Sequence, residues 1–336
     1  MPHRDKHYEP GSGLIGYPTQ CSQVTGMRQE SATRNGPLQG VLTVDLEDWR
    51  GALTPSNETN WRKRPPVDES EIREMTKEIL NKLDRLDTKA TFFVVGEVID
   101  CIPEILKEIS RKGHEIASHS PIHVPPRMIP RDEFVSLLRR DVTTIENVTG
   151  RRPLGFRAPY FSVSKTDGWM MRVLRDLGLL YDSSVFPTWT PLYGIPTAPR
   201  TPYFPDFEDI SKSMPMGPIL EIPVTVWPTR GPMLGLPIGG GFFMRIWPKA
   251  IQAFLLDRVA ESGSPIVIYL HLSDIQSPEK GALRLRPRDR IIRFLGSKKG
   301  DSAFEAIAKG FRLGSIRSLF RTELDVAEIE SKGGQH

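Results

Sequence analysis

Cysteine is nearly absent: Cys21 and Cys101 are the only two in 336 residues. They sit in unlike settings, which argues against a disulfide framework and against either as a metal ligand. Long apolar runs are missing as well. No stretch approaches the roughly 20 apolar residues of a membrane span, and the N-terminal MPHRDKHYEPGSG lacks the basic-then-apolar layout of a secretory signal. The expectation is a chain that stays in the cytoplasm. Neither sign of charge dominates, with 45 basic residues against 41 acidic and a net charge of +4. Apolar content of 38% and charged content of 26% are those of an ordinary globular protein, long enough for one large α/β domain or two modest ones.

The small basic excess is uneven. Between Lys280 and Arg321, twelve Lys/Arg stand against three acids. A block of that kind suits anionic lipid headgroups, a pyrophosphate-linked glycan carrier or an acidic polysaccharide, and equally a plain solvated face. The expectation is a peripheral contact with an anionic membrane surface through 280–321. No nucleic-acid-binding motif accompanies the charge, so nucleic acid is not an expected partner.

Residues 1–38 mix Gly, Ser, Thr, Pro, Gln and charge without period, which reads as a loosely attached arm carrying His3 and His7 as bystanders. Periodic sequence begins at GVLTVDLEDW, where Val41 to Leu46 suit a buried strand. Ile72, Met75, Ile79, Leu83 and Leu86 then keep helical spacing behind an acidic first turn, and KATFFVV follows as a second strand. The alternation continues with a helix from Pro103, a strand at HEIAS, a helix from Arg131 to Gly150, a strand at GFRAP and a helix around Trp169 to Leu177. Strands at ILEIPVTV and PIVIYLH flank one more helix that ends near Gly263. Strands alternating with amphipathic helices imply parallel pairing, as a doubly wound sheet or a (β/α) barrel, and in both the reactive groups gather at the C-terminal ends of the strands.

Polar residues cluster at those ends. Asp45, Glu47 and Asp48 follow the first strand; in extended chain Asp45 and Glu47 share a face while Asp48 points away, and for each acid taken alone a cap or surface role is the commoner one. His119 and His123 follow HEIAS, four apart in a segment that prolines keep from being a long helix. Such a pair raises the case for a metal over two structural histidines. Ser120 replaces the glutamate of an H-E-x-x-H helix, which removes that alternative. His114 reads as structural. Arg157-Ala158-Pro159-Tyr160 follows GF, where an arginine can hold a catalytic carboxylate or make a surface ion pair, and His271 closes IVIYLH. Gly239 to Gly241 with Phe242, Phe243 and Trp247 can edge a sugar groove, although aromatics this dense are more often core.

Taken in order, TVDLED, HSPIH, RAPYF, DGWMMRVL and YLH, with KATFFVVG and GHEIASH, resemble the NodB-homology polysaccharide deacetylases, carbohydrate esterase family 4, over roughly residues 40–275. DLEDW, YDSSVFP, GGGFFMRIWP and the basic tail further resemble the subgroup found beside exopolysaccharide and exosortase loci, which carries an extra C-terminal region. The resemblance implies a distorted (β/α) barrel over 39–275, with 276–336 as a C-terminal extension packing on it. It implies one divalent metal, commonly Zn2+, held by His119, His123 and a carboxylate. Leu46 stands where the family has a second adjacent aspartate, so Glu47 takes that place and Asp48 is the fallback. Asp45 is then the general base, Arg157 its partner, His271 the general acid, Trp169 a wall beside that histidine, and Tyr160 a backbone N–H donor to the substrate's oxyanion. HLSDI replaces the HPWE expected of the subgroup, a departure on the substrate side of the loop after His271. The implied reaction removes N-acetyl groups from N-acetylhexosamine units of a polysaccharide or lipid-linked glycan. Two other readings stand beside it: C–N hydrolysis of a small non-sugar amide or cyclic imide, and a catalytically silent carbohydrate binder, which loss of the metal carboxylate would favour.

Overall fold

The computed structural model describes residues 37, 39–52, 62, 64–229, 235–275, 287 and 295–333. The N-terminal arm up to residue 36, with Cys21, His3 and His7, lies outside the described residues, as does most of 276–294 in the basic block.

Eight parallel strands make one sheet: β1 (Gly40–Leu46), β2 (Thr91–Val94), β3 (Glu115–Ser118), β4 (Gly155–Phe156), β5 (Tyr181–Asp182), β6 (Leu220–Glu221), β7 (Ile266–His271) and β8 (Leu313–Gly314). Their order is β7-β1-β2-β3-β4-β5-β6, and β8 pairs with the first two residues of β1. β1 pairs with three strands, β7, β2 and β8, and is buried along its whole length, which is why it reads as a nearly unbroken apolar run. Helices α1 (Glu69–Arg85), α2 (Gly96–Cys101), α3 (Pro103–Arg111), α4 (Arg131–Thr149), α5 (Gly168–Asp176), α6 (Gly241–Ile246) and α7 (Lys249–Glu261) connect the strands. α1 starts where the Asp68 carboxylate accepts the Glu71 N–H, with Glu69 and Glu71 in its first turn, and buries Ile72, Met75, Ile79 and Leu83. α4 stops at Gly150, whose φ of +70° is left-handed.

Between β6 and β7 the sheet does not continue as a regular ladder, because Pro223 interrupts ILEIPVTV after two strand residues. The gap is bridged by irregular chain. Thr225 donates its N–H to Val267 O at 3.2 Å and accepts the Val267 N–H on its hydroxyl at 2.7 Å, while Tyr269 N–H reaches Gly239 O at 2.8 Å. The result is a distorted (β/α) barrel rather than an open doubly wound sheet. Gly240 (φ +128°) and Gly241 (φ +55°) make this seam possible: a Cβ on Gly240 would sit 1.8 Å from Tyr269 O, and one on Gly241 2.5 Å from the Tyr269 ring. The glycine triplet is thus explained by barrel closure, and Trp247 beside it anchors its indole N–H on Pro237 O.

Four helices complete the described C-terminal part: α8 (Leu272–Ile275), α9 (Ser297–Gly310) and, after β8, α10 (Ile316–Leu319) and α11 (Arg321–Gly333). Phe304, Ile307 and Phe311 enter the same apolar cluster as Leu42, Val44, Phe92 and Ile268. Truncating Phe304→Ala removes a fully buried ring and should cost about 3–5 kcal/mol, read as a lower midpoint in urea or guanidinium unfolding.

Candidate active site

Four strand exits converge. β1 delivers Asp45 and Glu47, β3 delivers His119 and His123, β4 delivers Arg157, and β7 ends on His271. The 119–123 loop is held from below: Gly96 and Glu97, at the start of α2, donate their N–H groups to Ser120 O and Pro121 O at 3.0 and 3.1 Å. Ser120 adopts a left-handed φ of +68° there, so the chain reverses and returns the second imidazole to the first. The two rings lie 5.1 Å apart, edge to face.

Glu47, His119 and His123 each offer a ligand atom, and the three atoms lie within 4.8 Å of one another, all on buried residues. His119 Nδ1 is 2.9 Å from Arg157 O, so that nitrogen carries the proton and the lone pair of Nε2 faces Glu47, the tautomer a metal requires. Burial pushes the His119 pKa down to about 4, which keeps the ring neutral. Burial alone would raise the Glu47 carboxyl, but His123, then His271 and His119, pull it well below the usual carboxylate range. Glu47 Oε2 lies against His123 Nε2 and 3.9 Å from His119 Nε2, so one buried carboxylate oxygen faces both imidazoles. Two imidazole nitrogens and one carboxylate suit a divalent ion of the zinc type with open positions.

Asp48 is not part of this group. Both its oxygens take Arg50 Nε (2.9 and 2.8 Å), and Oδ2 also accepts the Asp68 N–H at 2.9 Å, because a 3-10 turn from Trp49 carries its side chain away from the histidines. Of the two carboxylates left open by the sequence, Glu47 is the one that faces the imidazoles.

Arg157 has no solvent exposure, and its donors are distributed over fixed acceptors. Nη1 reaches Asp45 Oδ1 at 2.8 Å and Thr43 Oγ1 at 2.9 Å, Nε reaches Ser183 O at 3.0 Å, and Nη2 reaches Ser183 Oγ at 2.9 Å. The guanidinium also lies 4.1 Å from the Phe93 ring centroid. On the far side, His271 Nε2 stands 3.9 Å from Asp45 Oδ2 and 3.8 Å from Glu47 Oε1, with 31% of its side chain exposed and therefore reachable from outside. Asp274 Oδ2 receives the His271 backbone N–H at 2.8 Å and sits 3.1 Å from His271 Nδ1, while Arg245 Nε meets Asp274 Oδ1 at 3.0 Å. Burial opposes charge on His271, yet the Asp274 hydrogen bond and the carboxylates of Glu47, Asp274 and Asp45 push it up to about 9. Asp274 and Arg245 were missed in the sequence; the signal was the His-x-x-Asp spacing inside HLSDI, the departure from the expected HPWE.

Tyr160, with φ +58°, lays its ring edge-on to His123 at 4.6 Å. Trp169 is elsewhere. It begins α5, the helix leading into β5 rather than a strand exit, donates its indole N–H to Asp167 at 3.1 Å and packs on Phe134. The ring against His271 is that of Tyr269, at 5.8 Å, so the wall expected of Trp169 is built from β7 itself.

Residues 66–181 match the family model described as polysaccharide deacetylase, and residues 183–321 match one described as a domain of unknown function (DUF3473). Residues 66–181 belong to the polysaccharide deacetylase family. Among curated relatives, the chain is 34% identical over 88 residues to a peptidoglycan-N-acetylglucosamine deacetylase of Bacillus cereus, an alignment covering 26% of this chain and 32% of that protein. It is 33% identical over 138 residues to a peptidoglycan deacetylase-like protein of Gibberella zeae, covering 40% and 38%. The alignments thus span about a third of the relatives' own lengths. A crystal structure of a candidate polysaccharide deacetylase from Mycobacterium smegmatis superposes with a TM-score of 0.51 at 18% identity, covering 88% of this chain and 93% of that one. It shares the fold of the deacetylase domain and of the barrel strands that follow it.

Separating the two neighbouring carboxylates is straightforward. Glu47→Ala should abolish stoichiometric zinc binding measured by titration calorimetry while the chain stays folded. Asp48→Ala should retain zinc and lose about 1–3 kcal/mol of unfolding free energy, because Arg50 Nε loses its carboxylate partner and the guanidinium keeps Glu97 as its ion-pair partner.

Proposed function

We propose that this protein is a metal-dependent N-deacetylase that releases acetate from N-acetylhexosamine units of a polysaccharide or lipid-linked glycan. The observation that carries the reading is the convergence of a candidate base and a candidate acid on one ligand group: His271 Nε2 lies 3.9 Å from Asp45 and 3.8 Å from Glu47, whose carboxylate faces His119 and His123. The relatives named as peptidoglycan-N-acetylglucosamine deacetylases support the acetamido sugar as substrate class.

A divalent ion, with Zn2+ as the expected one, held by Glu47, His119 and His123 would supply Lewis acidity toward the amide carbonyl and toward water. The chain's own residues do the rest. Asp45, ion-paired to Arg157, takes the proton of the attacking water as its oxygen bonds to the carbonyl carbon. The Tyr160 backbone N–H serves the developing oxyanion. His271 is cationic at neutral pH and reaches the site from the exposed side, so it can protonate the amine nitrogen as the C–N bond breaks. Acetate and a free amino sugar leave. Glu47 supplies the metal carboxylate whose loss would have favoured a silent binder, and the base and acid are both present, which small-amide hydrolases of this fold tend not to combine.

The reading extends to a cytoplasmic protein of exopolysaccharide synthesis that touches an anionic membrane surface through 280–321. That part rests on the basic excess of the stretch, and flotation with phosphatidylglycerol vesicles at low and high salt tests it.

Acetate release from N-acetylglucosamine oligomers tests the chemistry. Asp45→Asn and His271→Ala should each fold, bind metal and lose activity by about 10²–10⁴-fold. Saturable oligosaccharide binding without turnover by the metal-loaded wild type would sink the reading. The pH profile checks the acid. His271 acts in its protonated form, so the rate should hold through neutral pH and fall as pH rises through the His271 pKa. Asp274→Asn removes the hydrogen-bonded anion that raises this pKa and should move that alkaline limb to lower pH.

A further inference from the structure

Beneath Arg157 lie two carboxyl groups that the chemistry above does not use. Asp182 on β5 and Glu221 on β6 are directly opposed in the sheet, and neither has any solvent exposure. One oxygen of each is occupied: Asp182 Oδ1 accepts the Ser184 hydroxyl at 2.5 Å, and Glu221 Oε1 accepts the Val185 N–H at 2.9 Å. The other two, Asp182 Oδ2 and Glu221 Oε2, are buried without a donor, on side chains that stand side by side on the same face of the parallel pair. Two carboxyl groups this close and without water cannot both be ionised, and a proton on one supplies the donor that both bare oxygens lack. The charged groups around the pair are few: Arg157 offsets its negative charge, and Tyr203, whose backbone pairs with Glu221, adds only a neutral phenol. Burial raises both groups, and the neighbouring Asp182 raises Glu221 further, so the proton is retained at neutral pH.

What the pair holds is the turn at 182–185. Ser183, between its two ends, takes Arg157 Nε on its carbonyl and Nη2 on its hydroxyl, and passes that hydroxyl proton to Ile222 O at 2.7 Å, one residue beyond Glu221. Ser184 accepts the Ala158 N–H at 2.8 Å. Arg157 can therefore point Nη1 at Asp45 only while this turn is in place. We propose that Asp182 and Glu221 share a single proton and act as positioning residues that fix Arg157 and, through it, the aim of Asp45. Its activity arm rests on the reading of Asp45 as base; its stability arm does not.

Amide substitutions separate a shared proton from simple burial. In Glu221→Gln the amide oxygen still accepts Val185 N–H and the amide N–H replaces the carboxyl proton toward Asp182, so kcat should stay within a factor of about three. Glu221→Ala leaves Asp182 and Val185 unpartnered and should lower kcat by roughly 10²-fold with KM unchanged, a defect that Gln at the same position does not have. Asp182→Asn is tolerated for the same reason as Glu221→Gln. The double variant Asp182→Asn/Glu221→Gln brings two NH2 groups face to face and should unfold at a temperature several degrees below the additive expectation. Thermal unfolding of these four variants reads the pair without any substrate, so a wild type that released no acetate would overturn the proposed function and leave the stability cycle as the test of the pair. Additive single amides in the double variant would overturn the shared proton. A Glu221→Gln as impaired as Glu221→Ala would show instead that both groups must be ionised, and would equally end the proposal.

Discussion

Everything at the strand exits depends on one desolvated cation. A guanidinium with no exposure is costly unless its donors are satisfied and its charge is balanced, and Arg157 meets both demands by spanning the barrel from Ser183 on β5's exit to Thr43 and Asp45 on β1. Because its planar fork fixes the directions of its N–H groups, the acceptors are fixed in turn. Its backbone takes part as well: the Arg157 carbonyl selects the His119 tautomer that leaves Nε2 free toward Glu47. One residue thereby ties the candidate base, one candidate ligand and the floor of the site into a single arrangement.

The site also crosses the border between two sequence regions. The deacetylase match at 66–181 holds the two imidazoles, Arg157 and Tyr160, while the match to a domain of unknown function at 183–321 holds His271, Asp274, Arg245, Ser183 and Glu221. β6 and β7 lie in that second region, and β7 pairs with β1 so that Asp45 is opposed by His271. The second region is therefore not an appendage to the site. It supplies the wall that carries the candidate acid, and its α9 inserts Phe304 into the core shared with β1.

Local pattern was enough for much of this. Helical spacing in 69–85 and the apolar runs at β1, β2 and β7 arise from burial on one face or on both, so they are legible in the order of residues. Short strands were less so: GFRAP is a strand for two residues, and ILEIPVTV is broken by its proline. The strand-exit rule brought Asp45, His119, His123, Arg157 and His271 to one end of the barrel, but not their partners. Asp274 lies three residues past His271, where a short helix turns it back, and Ser183 and Glu221 lie on strands whose adjacency no local pattern reveals.

By itself the sequence determined the parallel strand–helix alternation, the strand-exit positions of the polar groups and the four-residue histidine pair, because each of these follows from periodicity or from residues adjacent in the chain. Only the tertiary structure decided that Glu47 rather than Asp48 meets those histidines, that Tyr269 rather than Trp169 flanks His271, and that the glycine triplet closes the barrel. Each of those three choices turns on where a backbone bends in space and which distant chain it then approaches, and neither is encoded in spacing along the sequence.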